Sequence, residues 1–445
     1  MATTMNPCLG FRYLPHVLAL TTVCFLLLNR KHVTKHVNDV IFTHGPKHPY
    51  PPVKPVFTKR PFVIWSNDYH IGPIRDLKDL LQPLGVKFID KTLSGHCHLT
   101  STCEHNLTII NKANAMGLDS EGLLIEEFYN YYRTDPEMMS VDAFVCFHPS
   151  AMCELFLPFN RSVFVIASTR YELGRFLPLR WMTWNENLIE IAGHPYNVVA
   201  GNNLYDAKYI QYFTGVKAQV LTSFCGYIDE RYTGHKDGFI LAPPHKEGFS
   251  KIFQNAYDAA CNLANCNETI FNLRARYPHY EYSDLCAHKG IVYIPYQVSV
   301  MSMFEQYRMN IPLFFPSKIL LGNWQQEYMI MNERTWDGVF KKIPSGSNLP
   351  PHPSQSSIPD PNSETNRTAI NYWIQFADFY TFPHITYYDS ATDLVRKLAV
   401  TDLQKTSAQM ARYNLRFREK LLKQWTDILL AAARHSPNHP DNIYI

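Results

Sequence analysis

Short apolar runs alternate with segments of helical periodicity over most of the chain. The run at 62–65 (FVIW) predicts a strand, the apolar spacing within 74–81 predicts a helix, and the run at 86–89 predicts a second strand. The order strand, helix, strand predicts a βαβ unit. The same alternation predicts strands at 141–147, 161–167, 198–200 and 218–221, with a helix at 204–213.

A second series of the same kind begins after Gly238. It predicts strands at 239–242, 291–294 and 312–315 and helices at 249–263 and 303–309. Two successive series, separated near 223–237, predict an α/β fold of two facing Rossmann-like domains. The remainder, 390–445, is expected to form C-terminal helices that pack on the core.

The longest apolar run lies near the N-terminus, at 14–28 after a short tail of residues 1–13. Basic residues rather than small ones follow it, which favours an uncleaved signal anchor over a cleaved signal peptide. The segment 29–60 is rich in His, Lys and Pro and is expected to be an extended stem. We expect the two domains to span 61–225 and 226–389, with a mobile, Pro- and Ser-rich loop at 344–365.

Composition narrows the function classes. The 445 residues are 46% hydrophobic, 14% aromatic and 18% charged, which excludes a disordered chain and a coiled coil. The 42 basic and 39 acidic residues give a formal net charge of +3. This near-balance argues against a nucleic-acid partner but allows a local basic pocket for phosphate groups.

Three sequence features bear on the cellular compartment in which the body of the protein lies. The positive-inside rule, applied alone to the basic residues after the apolar run, keeps the body of the chain in the cytosol. N-glycosylation sequons, in contrast, occur at Asn106, Asn160, Asn267 and Asn366. Beyond the anchor lie Cys97, Cys103, Cys146, Cys153, Cys225, Cys261, Cys266 and Cys286, an even set that permits disulfides, with buried thiols as the alternative. We expect a single-pass protein of the Golgi or ER membrane with a lumenal body.

The candidate chemistry lies in the loops that follow the predicted strands, because doubly wound sheets bind ligands there. None of these loops contains a dinucleotide-binding glycine motif, a P-loop, a nucleophile elbow or a zinc-protease motif. Those absences lower the expectation of a dehydrogenase, a P-loop kinase, a hydrolase or a zinc protease without excluding them.

One block in the second half is more informative. Residues 290–317 (GIVYIPYQVSVMSMFEQYRMNIPLFFPS) combine a strand, a polar loop, a helix containing Glu305 and a closing Ile-Pro strand. This block resembles the nucleotide-sugar site of GT-B glycosyltransferases, in which a helix carboxylate binds the donor ribose. Retaining members often have Glu-x7-Glu here, whereas this chain has Gln297 and then Glu305, which puts retention of configuration in doubt.

The resemblance implies a donor site on the second domain and an acceptor site on the first. For the donor we expect contacts from Lys246, Arg276, Gln297, Ser299 and Glu305, since phosphates need positive charge and sugars need polar groups. No Asp-x-Asp pair occurs, so we expect binding that requires neither a metal ion nor another cofactor. A solvated surface position is the plainer interpretation of each charged residue.

The acceptor side requires a general base. Asp68 and His70 follow the first strand and His148 follows a later one, so these three are the candidates, with the histidines favoured by their titration near neutral pH. Arg170 and Glu172 are expected to orient the acceptor or to pair internally. Asn202 and Asn203 are expected to cap the following helix.

These features together predict a glycosyltransferase acting from a nucleotide-sugar donor on a hydroxyl of a glycan, protein or lipid acceptor. A non-catalytic relative that binds glycans or acts as a scaffold is the chief alternative. A different Rossmann-like enzyme, such as an epimerase or a hydrolase with a cytosolic body, is a third. The sequence leaves the sugar, the nucleotide and the stereochemical outcome open.

Overall fold

The computed structural model describes residues 50–99, 103, 107–115, 123–172, 176–242 and 246–439. The predicted tail and anchor, 1–28, and most of the predicted stem lie outside these residues. Within the described residues, no helix is both long and apolar enough to cross a membrane. Residues Tyr50–Ile445 form a single compact unit, so the limits predicted at 225 and 389 stay predictions.

Eleven strands occur in the part of the chain that the structure describes. They are β1 Phe62–Ser66, β2 Val86–Asp90, β3 Ala143–Cys146, β4 Ser162–Ala167, β5 Val198–Gly201, β6 Gln219–Val220, β7 Phe239–Ala242, β8 Ile270–Asn272, β9 Ile291–Tyr293, β10 Leu313–Pro316 and β11 Thr386–Tyr388. The predicted strands of both series are present, while β8 and β11 were not predicted.

The α-helices of the same residues connect these strands. They are α1 Ile71–Leu81, α2 Leu123–Tyr132, α3 Pro136–Met139, α4 Pro178–Gly193, α5 Leu204–Thr214, α6 Glu247–Leu263, α7 Leu273–Arg276, α8 Tyr282–Ala287, α9 Met301–Arg308, α10 Lys318–Tyr328, α11 Trp336–Val339, α12 Arg367–Ile374, α13 Asp378–Thr381, α14 Ala391–Val400 and α15 Leu403–His435. Four 3-10 helices add Gln82–Leu84, Cys97–Leu99, Ser150–Phe159 and Pro353–Gln355.

Both sheets are entirely parallel and share one strand order. The first has six strands in the order β2-β1-β3-β4-β5-β6, and the second has five in the order β11-β10-β9-β7-β8. With the strands of each sheet numbered from its own first strand, the first sheet reads 2-1-3-4-5-6 and the second reads 2-1-3-4-5. In both sheets the strand order therefore reverses between strands 1 and 3. The predicted α/β fold with two Rossmann-like sheets is therefore confirmed. Such switch points are where open α/β sheets bind ligands.

The first sheet is covered on both faces, as parallel sheets usually are. Successive residues of β1 point to opposite faces: Val63 and Trp65 enter one hydrophobic cluster, and Phe62 and Ile64 enter another. The second cluster also contains Leu421, Trp425, Ile428 and Leu429 of α15. The predicted core packing of the C-terminal helices is thus observed. The second half of α15 packs on the first sheet, whereas Asn414 in its first half donates to the carbonyl of Tyr307 in α9.

The segment 344–365, predicted to be a mobile loop, is fastened to neighbouring helices. The His352 N–H donates to the Tyr212 carbonyl at 2.8 Å, and the Trp373 indole donates to the Pro359 carbonyl at 2.6 Å. Near its end, Glu364 forms a buried ion pair with Arg334 at 2.9 Å. Apart from one 3-10 turn, the segment has no regular structure.

The cysteines resolve into three pairs and two thiols among the described residues. Disulfides join Cys97 to Cys103, Cys146 to Cys153, and Cys261 to Cys266. Cys225 and Cys286 are free and buried. Both interpretations of the cysteine pattern, disulfides and buried thiols, therefore apply to parts of the set.

Candidate functional site

A cleft of about 270 Å³ lies at the carboxyl ends of strands from both sheets. The first sheet contributes residues that follow β1, β3, β4 and β5, and the second contributes the loop between β9 and α9. The lining residues are His70, Pro73, His148, Ser168, Thr169, Arg170, Asn202, Tyr296, Gln297, Ser299, Val300, Met301, Phe304 and Glu333. Five of the predicted site residues, His70, His148, Arg170, Gln297 and Ser299, are thereby brought together.

Two histidines stack on one wall of the cleft. The centroids of the His70 and His148 rings are 4.6 Å apart and the two ring planes are nearly parallel, with an interplanar angle of 9°. Loss of hydration and the charge of Arg170 lower the pKa of His70 to about 4. Burial, together with His70 and Arg170, lowers the pKa of His148 well below its usual value. Both rings are therefore neutral at neutral pH and have a nitrogen able to accept a proton.

Asp68 lies beneath this pair and is 1% exposed. Its Oδ1 accepts the backbone N–H of His70 at 2.8 Å, and its Oδ2 accepts those of Phe147 at 2.8 Å and His148 at 3.0 Å. Burial raises the pKa of Asp68 to about 7, although these donors favour the charged form. Because both oxygens are occupied away from solvent, Asp68 holds the two histidine loops together and is not placed to take a proton from an acceptor.

Arg170 belongs to the same wall as the two histidines, since Trp336 contacts both His148 and Arg170. Its guanidinium lies 4.6 Å from the ring centroid of Trp336 and also donates to the Glu333 carbonyl. Gln297, from the second sheet, donates to the same carbonyl. The Arg170 backbone has a φ of 45°, a left-handed conformation that costs a non-glycine residue about 1–2 kcal/mol. Strain of this kind is commonly retained at ligand sites, where surrounding contacts hold it.

Several polar atoms of this wall have no hydrogen-bond partner within the described residues. They are Nδ1 of His148, Oγ of Ser168 and Nε of Arg170, all buried. Most buried polar atoms in proteins are paired, so three exceptions on residues lining one cleft need an explanation. A polar ligand in the cleft that these groups contact after small side-chain adjustments provides one.

The N-terminus of α9 meets the cleft from the second sheet. Val300 is its N-cap residue and forms no side-chain capping bond, while Val300 and Met301 line the cleft. The exposed N–H groups of such a helix start favour anions. Gly72 of α1 lies against this end, since a Cβ built on it would come within 3.3 Å of the Met301 side chain. Its small size therefore allows α1 and α9 to approach, rather than a ligand to approach the loop.

Besides Asp68, four of the predicted residues do not line the cleft. Glu305 accepts hydrogen bonds from the Tyr227 and Tyr282 hydroxyls at 2.6 and 2.9 Å, and burial raises its pKa. The helix begins at Met301, so Glu305 lies one turn in rather than at its start.

The other three lie elsewhere. Lys246 is exposed and donates to the Tyr328 carbonyl, and Arg276 is exposed and lies 5.1 Å from the Phe271 ring. Glu172 is buried and accepts from the Tyr209 hydroxyl at 2.6 Å, which favours internal pairing over acceptor contact.

Other cleft residues had no motif to indicate them. Glu333 follows α10 and reaches the site only through the packing of the second sheet's helices against the first. Asn203 caps α5 as predicted, by accepting from the Asp206 N–H at 2.7 Å. Its neighbour Asn202 instead lines the cleft and accepts from the Ser223 N–H at 2.8 Å.

No group of three or more His, Cys, Asp and Glu side chains is arranged for a metal ion among the residues that the structure describes. The lining residues carry imidazole, guanidinium, amide and hydroxyl groups and the Glu333 carboxylate. The guanidinium suits an anionic part of a ligand, and the other groups suit its polar, uncharged parts.

Comparison with known proteins adds little. No protein-family model matches the chain, and no curated protein matches it. A solved structure titled as the glycotransferase of kitacinnamycin matches with a TM-score of 0.42 and 10% identity, covering 85% of this chain and 100% of that chain. We draw no conclusion from a likeness at this level.

Proposed function

We propose that this chain is a glycosyltransferase that moves a sugar from a nucleotide-sugar donor to a hydroxyl acceptor in the cleft between its two sheets. The observation that supports the proposal is the meeting of His70, His148 and Arg170 from the first sheet with Gln297 and Ser299 from the second. Two parallel sheets of matching strand order with a shared polar cleft are the architecture implied by the GT-B resemblance. Binding without a metal ion is part of the same proposal.

The donor phosphates would lie between Arg170 and the start of α9. Arg170 supplies the positive charge, and the N–H groups of α9 supply further donors without adding a charged side chain. Ser299 and Gln297 flank this position and offer a hydroxyl and an amide to the sugar.

The acceptor hydroxyl would be activated by one of the stacked histidines. As the acceptor oxygen forms its bond to the anomeric carbon, the imidazole nitrogen takes the hydroxyl proton. The bond from the anomeric carbon to the phosphate oxygen breaks, and the nucleotide leaves with that electron pair. A single displacement of this kind inverts the configuration at the anomeric carbon.

The test uses the purified full chain. Thermal shift against UDP, GDP and CMP identifies the nucleotide, and nucleotide release from the corresponding sugar donors measures turnover. His70→Ala and His148→Ala should keep nucleotide binding, and at least one of them should abolish release. The exposed His96 supplies the matched control, His96→Ala, which should behave as wild type. Absence of binding to every donor tested would contradict the proposal, and binding without turnover would favour the non-catalytic alternative.

We also propose that the protein is a single-pass protein of the Golgi or ER membrane with a lumenal body, anchored by 14–28. Disulfides of the kind seen here are typical of oxidising compartments. The sequon residues Asn160, Asn267 and Asn366 are exposed, as glycan attachment requires. Glycosidase treatment of the cellular protein should increase its gel mobility. Unglycosylated protein that is soluble in the absence of detergent would contradict this part of the proposal.

A further inference from the structure

A buried carboxyl lies behind the loop that lines the cleft. Asp378 begins α13 and is 1% exposed. Its backbone N–H donates to the Val298 carbonyl at 3.1 Å, and its carboxyl hydrogen bonds with the Ser299 side chain. Its Oδ2, however, has no hydrogen-bond partner among the described residues. An unpaired polar atom costs free energy in such a position, so its retention needs a reason.

Asp378 lines a small cavity next to the cleft. The cavity has a volume of about 10 Å³, enough for the centre of one water-sized group. The cavity and the cleft are adjacent, because they share four lining residues, Tyr296, Gln297, Ser299 and Val300.

The remaining walls of the cavity are largely aromatic. The Tyr293 and Phe315 rings stack at 4.3 Å, and the Phe315 and Phe379 rings stack at 4.7 Å, forming one rigid column. These rings offer no strong hydrogen-bond partner to a group in the cavity, apart from the Tyr293 hydroxyl, which already donates to Gln306. The Gln297 amide is already bonded to the Glu333 carbonyl and the Val298 N–H, so the polar side chains left at this position are those of Tyr296, Ser299 and Asp378.

The protonation state of Asp378 follows from its surroundings. Burial raises the pKa of its carboxyl well above the usual value, and the nearby acid Asp206 adds to the rise. The raised pKa favours the protonated carboxyl, which has one hydrogen to donate. A neutral donor suits an uncharged oxygen.

We propose that this cavity is a subsite for one hydroxyl of the sugar bound in the cleft, and that Asp378 recognises this hydroxyl together with Ser299. The inference rests on the proposed function, since the ligand is the sugar of the donor. The subsite is too small for an N-acetyl group or a carboxylate at the same ring position. It therefore selects a plain hydroxyl there.

The experiment compares a nucleotide with its sugar nucleotide in variants of Asp378. The probes are UDP with UDP-glucose and UDP-N-acetylglucosamine, and GDP with GDP-mannose, whichever pair binds the wild type. Asp378→Ala should bind the nucleotide within twofold of wild type and the sugar nucleotide at least tenfold more weakly. Asp378→Asn, whose neutral amide also donates, should restore most of the sugar affinity.

Monodeoxy analogues of the bound sugar locate the hydroxyl. One deoxy position should cost the wild type at least tenfold in affinity and should cost Asp378→Ala nothing further. A deoxyfluoro analogue at that position, which accepts but does not donate, should bind wild type better than the deoxy analogue. This last comparison needs only the wild type and Asp378→Asn, should the alanine variant fail to fold.

The outcomes separate the two proposals. If no sugar nucleotide binds the wild type, the proposed function fails and this inference fails with it. If one binds but Asp378→Ala weakens nucleotide and sugar nucleotide equally, or neither, the cavity holds only a structural water and the inference alone is overturned.

Discussion

Replacement of Asp68 by asparagine tests whether this carboxylate holds the two histidine loops. Asparagine offers one acceptor oxygen where aspartate offers two. The asparagine side chain is more stable with its oxygen on the Phe147 and His148 N–H groups, which lie 2.8 and 3.0 Å from the Asp68 oxygen in the wild type. Its NH2 group then faces the N–H of His70. The His70 N–H and the new NH2 group then both lack an acceptor, and each buried unpaired donor costs about 1–3 kcal/mol. We expect Asp68→Asn to lower the free energy of unfolding by at least about 1–3 kcal/mol.

The assay is urea denaturation at pH 8, where the Asp68 carboxyl is mostly charged because its pKa is about 7. The denaturation midpoint should fall while the dependence on urea concentration stays constant. Asp427→Asn is the matched control, because its i,i+4 pair with Lys423 is largely exposed and contributes about 0.5 kcal/mol or less. An Asp68→Asn variant as stable as this control would refute the assignment of a structural role to Asp68.

Three further outcomes are expected. Glu364→Gln should lower the free energy of unfolding by about 3–5 kcal/mol, measured by calorimetry or denaturation, because it leaves the Arg334 charge buried without its counter-ion. A loss below about 1 kcal/mol would show that this ion pair does not stabilise the segment 344–365. If His70 is the base, kcat/KM should stay level from about pH 7 to pH 5 and fall only toward pH 4, because the imidazole is protonated as the pH falls through its lowered pKa. A decline in kcat/KM centred near pH 6.5 would exclude His70 as the base. Glu305→Gln should bind the sugar nucleotide with an affinity within twofold of wild type in titration calorimetry, because Glu305 contacts Tyr227 and Tyr282 outside the cleft. A tenfold loss of affinity with unchanged stability would show that Glu305 belongs to the donor site.

Much of the fold could be predicted because strands buried on both faces of a parallel sheet form continuous apolar runs. β4 (SVFVIA) and β7 (FILA) are such runs. β8 (IFN) and β11 (TYY) have three residues each, and β11 lies at a sheet edge, so neither produces a distinct run. The packing of α15 on the first sheet depends on contacts between distant segments, which periodicity does not specify.

The site could be predicted where it depends on strand order alone. His70, His148 and Arg170 follow neighbouring parallel strands, so their convergence follows from the sheet. Glu305 depends on which face of α9 meets the cleft. Met301 and Phe304 line the cleft, and around the helix Glu305 lies about 100° from Phe304 and about 40° from Met301. It is also one turn farther from the helix start than Met301, where the Tyr227 and Tyr282 hydroxyls bind it. The sequence pattern does not specify that rotation.

Asp378 and Glu333 could not be predicted for a different reason. Neither residue lies in a loop that directly follows a strand. Asp378 is held at the cavity beside the cleft by contacts with Val298 and Ser299. Glu333 is held in the cleft by the hydrogen bonds that its carbonyl accepts from Arg170 and Gln297. Only the assembled second sheet brings them to the first.

Hydrogen exchange of the full chain with and without its sugar nucleotide tests the central claim most directly, because it locates the bound ligand. We predict slower exchange in the segments 67–72, 168–171 and 296–300. A second groove of about 270 Å³ lies at the opposite end of the first sheet and is lined in part by Tyr196, Gln219 and Gln424. We predict no change of exchange in that groove. Protection in that groove, with the three loops unchanged, would contradict the placement of the active site in the cleft.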